Sequence, residues 1–396
     1  MALTTLPSAA FASGSVGTAQ LADGAVTTEK LVADVNFRNL IINGDMSIAQ
    51  RGTSSSGQTS AGYKSLDRYR VNIDGLGTWT ISQDSDVPSG QGFGYSQKFA
   101  CTTADASPAA GDVVFFQQRF EGQMLQHLKK GTSNAESLTL SFWVKSNKTG
   151  TYIAELYDND NTRQISKSYT ISSTNTWEKK TLTYDGDTTG TLDNDSGGSF
   201  YLYFWLASGT RYTSGTLSTS WGTPTDANRA SGQVNLGDSS SNTFYITGVQ
   251  LEVGTTASDF EFLPFDVNLQ RCQRYYYSTM YLSDANSFTA PTNNYPEVQG
   301  TRHRYADVTG YRSQQVNHPV VMRATPSTTF YNPDNSGASG QFRLFDHNGN
   351  TQNFSGGVTH TIKKLSMAFN GYTGVSVGST GLSCLTFAHW ENSAEL

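Results

Sequence analysis

The chain has 396 residues, with 27 Lys and Arg set against 33 Asp and Glu for a formal net charge of −6. No Lys/Arg cluster stands against that balance, so the long-range attraction behind nucleic-acid binding is missing and nucleic acid is excluded as an expected partner. Abundant glycine (38 residues), 12 % aromatics and only 15 % charged residues favour strands and turns over exposed helices.

Residues 1–36 carry an internal repeat. Leu6, Phe11, Val16, Leu21, Val26 and Leu31 lie five apart, and Gly14, Val16, Thr18 and Leu21 recur as Gly24, Val26, Thr28 and Leu31. A period of five matches neither the 3.6 of a helix nor the 2 of a strand, so one copy cannot place these side chains on one face. They need a partner. A basic start followed by a continuous apolar run is absent, and no later window approaches the roughly 20 apolar residues of a membrane span, so neither secretion nor membrane insertion is expected.

A second unit is expected from about Phe37 to Phe262. RNLIINGD (38–45) is a short apolar run ended by an Asn-Gly turn signal, and a Ser/Gly loop is expected over 52–62. Strand-like runs follow at 67–73, 78–83, 93–102, 113–120, 138–146, 151–158, 176–184, 200–207 and 244–253, with one short helix at 122–131. This pattern predicts a jelly-roll-like antiparallel β-sandwich. Over 138–146, Leu138, Leu140, Phe142 and Val144 form the core face, opposite Thr139, Ser141, Trp143 and Lys145. Over 200–207 both faces are heavy: Phe200, Leu202, Phe204 and Leu206 oppose Tyr201, Tyr203 and Trp205. That strand either lies between two packed layers or exposes an aromatic row, and its pattern leaves both open.

A smaller C-terminal β domain is expected over 263–396. Leu269, Cys272 and Tyr276 have helical spacing, a loop is expected over 283–299, and short strands at 327–332, 341–346, 358–365, 373–378 and 385–390. Cys101, Cys272 and Cys384 are odd in number and far apart, which fits buried thiols rather than disulfides or zinc.

Five segments in order carry a resemblance: the GAVTTEKL-type repeat, RNLIINGDMSIAQRG (38–52), SFWVK (141–145), YITGVQLEVG (245–254) and PFDVNLQRCQRYYYS (264–278). With HPVVMRATPS (318–327) as a further shared segment, the chain resembles tail-fibre and related receptor-binding proteins of tailed bacteriophages over nearly its whole length. The resemblance implies a component of the virion exterior, assembled in the host cytoplasm. It also implies a homotrimer that docks on another virion protein through residues 1–36 and binds host polysaccharide or another receptor through its β domains. In a trimer, Leu6, Phe11, Val16, Leu21, Val26 and Leu31 meet their symmetry mates on an axis, forming a thin stalk. A flexible arm ordered against another virion protein and a single-chain pentapeptide solenoid are the competing readings of that segment.

Sugar sites in β-sandwiches offer aromatic faces flanked by hydrogen-bonding side chains. Trp143, Tyr201, Tyr203 and Trp205 are candidates for such a platform, opposed by packing against another layer as their structural role. Trp177 and Trp221 are further candidates, and Arg304, Tyr305 and Tyr311 are candidates in the C-terminal domain. Acidic turns at 158–160 and 193–195 lack the complete calcium-loop pattern, and the six histidines show no metal spacing, so no metal or cofactor is expected. No phosphate loop is present, and the one GxSxG spacing, GVSVG (374–378), lies in an expected strand run rather than at a strand-to-helix elbow. Glycan depolymerases as a family are usually built on long parallel β-helices, so binding without catalysis is the expected role. A head-decorating fibre or a tail adaptor is the alternative, and a depolymerase a further one.

Overall fold

Alternating apolar side chains lead this chain to build strands that each bury one face. The computed structural model describes residues 37–279, 301–303, 316–331, 341–345, 351–355, 358–372, 384–387 and 389–396. The strands up to residue 262 are β1 (Ser54–Gln58), β2 (Gly62–Tyr63), β3 (Arg70–Asp74), β4 (Thr78–Asp84), β5 (Ser96–Thr103), β6 (Val113–Glu121), β7 (Leu138–Ser146), β8 (Gly150–Asp158), β9 (Arg163–Ile171), β10 (Glu178–Tyr184), β11 (Gly198–Ser208) and β12 (Thr243–Val253). They pair into two six-stranded antiparallel sheets, ordered β1-β4-β5-β12-β7-β10 and β2-β3-β6-β11-β8-β9. From β5 onward the chain alternates between the sheets at almost every connection, which is the expected jelly-roll-like sandwich.

The core lies between the sheets. Leu138, Leu140, Phe142 and Val144 of β7 face Phe200, Leu202, Phe204 and Leu206 of β11, and all are buried. Rings interlock across the gap: Phe99 of β5 stacks on Phe116 of β6 at 4.9 Å, and Phe142 meets Phe204 edge-on at 5.2 Å. Each such ring contributes on the order of 2–3 kcal/mol by leaving water.

Three local expectations are corrected. The loop expected over 52–62 contains β1 and β2, which add edge strands despite their Ser and Gly content. β9 went unrecognised because its polar residues mask the inward Ile165, Tyr169 and Ile171. The helix expected over 122–131 is two short 3₁₀ turns, Gly122–Met124 and Gln126–Leu128, ended by Lys129 at φ 50°. Leu125 and Leu128 enter the main core whereas Met124 packs on another cluster, so no single helical stripe is required.

Residues 38–52 and 264–278 form one joint. Asn39 Oδ1 accepts from the backbone of Ile41 and Leu251 (3.0 and 3.1 Å), and Gln118 bonds both the N–H and C=O of Ile42. Asn43, at φ 63°, donates to Ile48 O and Asp67 O and accepts from Ile48 N. These amides satisfy a buried non-repetitive backbone that has no ladder of its own. Gly44 is required here, since a Cβ would lie 2.2 Å from Val249 O. After a single helical turn, α1 (Thr210–Thr213), the second helix α2 (Phe265–Gln273) docks on this joint. Asn268 Nδ2 donates to Asp45 Oδ1 at 3.0 Å, and Cys272 and Tyr275 pack with Ile42 and Ile48.

The C-terminal strands are β13 (Tyr276–Ser278), β14 (Thr301–His303), β15 (Val316–Asn317), β16 (Ser327–Tyr331), β17 (Gln341–Phe345), β18 (Thr351–Ser355), β19 (Val358–Ile362), β20 (Ser366–Tyr372), β21 (Cys384–Phe387) and β22 (His389–Ser393). They form sheets β13-β22-β16, β14-β21-β17-β18 and β15-β20-β19. The repeat in 1–36, the loop expected at 283–299 and the strand expected at 373–378 lie outside the described residues. Among the described residues, no helix is long and apolar enough to cross a membrane. Residues 394–396 are clamped to the sandwich: Arg68 pairs with Glu395, Arg51 reaches Glu395 at 3.2 Å, and Tyr63 donates to Leu396 O. Arg323 donates to Ala394 O and Glu395 O.

Under this clamp lies Asp67, fully buried and held by Gln50 N (3.0 Å) and Gln50 Nε2 (2.5 Å). Burial pushes its carboxyl from an ordinary value of 3.8 up to about 7, against the opposing pull of Arg51. The folded state therefore retains a proton that the unfolded state has lost, and the associated stability disappears as pH rises through the folded value. The wild type is expected to lose up to about 1.4 kcal/mol per pH unit relative to Asp67→Asn between about pH 5 and pH 7, read from denaturant midpoints. Parallel pH profiles for the two proteins would show Asp67 to be ionised throughout.

Candidate functional site

The second sheet turns its outer face away from the core, and strand pairing brings three rows of side chains together there. Tyr201 of β11 sits opposite Arg119 of β6 and Tyr157 of β8. Tyr203 sits opposite Gln117 and Glu155, and Gln117 is in turn opposite Arg70 of β3. Trp205 sits opposite Phe115 and Ile153, with Asn72 next in that row. The rings form a continuous band: Tyr157 and Tyr201 stack at 6.2 Å, Phe115 meets Tyr203 at 5.1 Å and Trp205 at 5.0 Å.

One end of this band is roofed. Tyr212, Leu217 and Ala230 from the 209–232 segment pack onto it, and Tyr212 lies 5.3 Å from the Trp205 ring. What pins the roof is Glu155, which is fully buried. Arg229 Nε reaches its carboxylate at 2.9 Å and Trp205 Nε1 donates to it at 2.7 Å. The Arg229 guanidinium lies over Tyr157, Tyr203 and Trp205 at 5.2 to 5.4 Å. Burial drives the Glu155 carboxyl above the usual carboxylate range, and Arg229 opposes it.

The other end is open. Tyr201, Tyr157, Arg119 and Arg70 are only half-buried. Arg119 lies 4.8 Å above the Tyr201 ring. The open end thus offers half-exposed aromatic rings beside guanidinium donors, an arrangement suited to a polyhydroxylated ligand.

The residues named from sequence do not form one platform. Trp143 is half-buried on the outer face of the first sheet, between Thr247 and Lys179, on the opposite side of the sandwich from Tyr201, Tyr203 and Trp205. Trp205 (1 % exposed) and Tyr203 (8 %) are closed off by the roof, so of that row only Tyr201 presents its ring. Strand β11 therefore combines both arrangements open from its pattern: packed between layers at one end, exposed at the other. Trp177, on the Trp143 side, donates to Asp86 at 3.0 Å, and Trp221 packs on Phe200 while donating to Asp185 O at 2.7 Å. Arg304, Tyr305 and Tyr311 lie outside the described residues.

The acidic turns serve structure. Lys130 bridges Asp158 (2.5 Å) and Asp187 (3.0 Å), while Asp160 accepts from Asp193 N and Asp195 from Gly197 N. Among the described residues no three His, Cys, Asp or Glu gather as a metal site. Cys101 and Cys272 are buried free thiols. Sequence reasoning missed Arg70, Asn72, Phe115, Arg119 and Tyr157, yet the same alternation held the signal: Val71 and Ile73 point inward, as do Phe116 and Phe120, which turns the residues between them outward.

No family model matches the chain, and no curated protein does. Solved structures match at a low level. The enzymatically active domain of bacteriophage CBA120 tailspike protein 4 is 15 % identical, with a TM-score of 0.28, over 56 % of this chain and 22 % of that one. A putative sugar binding protein from Bacteroides thetaiotaomicron is 14 % identical (TM-score 0.30; 55 % of this chain, 100 % of that one). A family 11 carbohydrate-binding module from Clostridium thermocellum, in complex with a mixed-linked tetrasaccharide, is 12 % identical (TM-score 0.26; 54 % and 99 %). The chain spans about a fifth of the tailspike structure it matches.

Removing Arg229 leaves the Glu155 carboxylate buried without its cation. Arg229→Ala is expected to cost about 3–5 kcal/mol in chemical denaturation, with most of it recovered by adding Glu155→Gln. A loss below about 1 kcal/mol would mean that water reaches Glu155 and that the roof is held by other contacts.

Proposed function

We propose that the protein is a fibre-like component of the exterior of a tailed-phage particle, assembled in the host cytoplasm, that attaches the particle to host surface polysaccharide as a homotrimer. The observation carrying the sugar-binding reading is the open end of the aromatic band, where Tyr201 and Tyr157 stack beside Arg119 and Arg70 while the roof lies over Trp205. Ring faces of this kind stack on the apolar faces of sugars, and the flanking donors bind hydroxyls. The role is binding without catalysis.

The phage reading rests on the ordered motifs, and the packing of residues 38–52 against 264–278 as one joint supports treating those two as a unit. The homotrimer is supported by the five-residue apolar series and by the surface where residues 1–36 join the sandwich. There Phe37, Phe262 and Phe265 are each at least half exposed, and Phe262 packs with Phe93 and Phe260. Rings left in water in this number mark a surface that another protein covers. Residues 1–36 also supply the dock to a virion partner, and three weak sites per fibre give avidity beyond any single site.

Binding of the full-length protein to extracted surface polysaccharide tests this reading. Tyr201→Ala is expected to weaken binding about tenfold or more while Trp143→Ala leaves it unchanged. The reverse pattern would move the site to the first sheet, absence of any binding would favour a structural head-fibre or adaptor role, and release of reducing sugars would make the protein a depolymerase. Light scattering on the same protein is expected to give the mass of three chains, and Leu21→Asp to lower it. A monomer in the unaltered protein would remove the stalk.

A further inference from the structure

The open end of the second sheet holds two cations that no carboxylate among the described residues neutralises. Gln117 joins them: Arg70 is its cross-strand neighbour on β3, and Arg119 stands two residues along β6 on the same face. Gln117 is buried, and in the amide orientation that satisfies its neighbours its oxygen accepts from Arg119 Nη2 (2.9 Å) and Nε (3.2 Å) while its nitrogen donates to the Tyr203 hydroxyl (3.3 Å). The Arg119 guanidinium is thereby held over Tyr201.

Among the described residues neither Arg70 nor Arg119 has a carboxylate at ion-pair distance, whereas Arg163, Arg211, Arg229 and Arg274 each have one. Lys64, which reaches Ser60 Oγ at 3.5 Å, lies close enough to Arg70 for their charges to repel. Burial, and then the charge of Arg119, pull the Arg70 guanidinium below its ordinary value, which places the two like charges within mutual reach. Partly dehydrated like charges side by side are unfavourable unless an anion joins them. The chain has 33 acidic residues and a net charge of −6, and none of its described acids stands at ion-pair distance from this pair.

We propose that this face selects acidic glycans, with the anionic oxygens of a sugar carboxylate or phosphate held between Arg70 and Arg119 and the sugar ring packed against the half-exposed pair of Tyr201 and Tyr157. Planar guanidinium forks bind such oxygens two at a time, which gives direction as well as attraction. The proposal rests on the sugar-binding reading of the same face and narrows it to one charge class.

The test applies full-length protein to an array of bacterial surface polysaccharides with matched acidic and neutral members. Binding is expected on acidic members only, to weaken as salt is raised, and to fall about tenfold in Arg70→Gln and in Arg119→Gln with thermal stability retained. Carboxyl reduction abolishing binding assigns the anion to a uronate, and dephosphorylation abolishing it assigns a sugar phosphate. Equal binding to neutral members, lost in Tyr201→Ala but kept in both arginine variants, would overturn the charge selection and leave sugar binding standing. Failure to bind any member would overturn both.

Discussion

A carboxylate with no access to water organises the outer side of this sandwich. Glu155 stands on β8, between β11 and the edge strand β9 of the second sheet, beneath the roof over the aromatic band, and an ion in that position is tolerated only with a partner that brings charge and hydrogen bonds together. Arg229 does so, and because it comes from the long 209–232 segment, satisfying Glu155 also fixes where that segment lies. The segment in turn decides which rings are closed and which are open. Trp205 becomes part of a second small core, and Tyr201 keeps a face toward solvent.

A different kind of polar satisfaction holds the two ends of the sandwich sequence together. The backbone at 39–48 runs buried without a ladder, so side-chain amides of Asn39, Asn43 and Gln118 take the place of strand partners. An amide can donate and accept at once, which explains why Asn and Gln rather than apolar residues fill these positions. Helix α2 then closes the unit through Asn268, and the clamp on Glu395 adds charged contacts on its far side. Two sequence motifs separated by more than two hundred residues are therefore one structural object.

The two outer faces have different electrostatic characters. On the first sheet, Lys145 pairs with Asp86 and Lys98 with Asp84, so the cations around Trp177 and Tyr245 are internally compensated. On the second, Arg70 and Arg119 have no such acids among the described residues. A cation paired internally gains little from a charged ligand, whereas one that is not is prepared for it.

The amino-acid sequence by itself determined most strands and their inward faces, because side-chain alternation is a local property with a period of two. It thereby named β7 and β11 closely and placed Leu140, Phe142, Leu202 and Phe204 in the core. It did not reveal β9, whose inward residues are diluted by polar ones, or the breaking of the 122–131 segment, whose apolar side chains serve two clusters. Of the site, Tyr201 was legible from its strand, but its neighbours were not. Whether Arg119 or Tyr157 stands beside it depends on strand order, and whether Trp205 is open depends on a loop that a distant charge pulls across it. Those choices belong to the tertiary structure, because pairing and coverage are settled by long-range burial and charge balance rather than by the residues of any one strand.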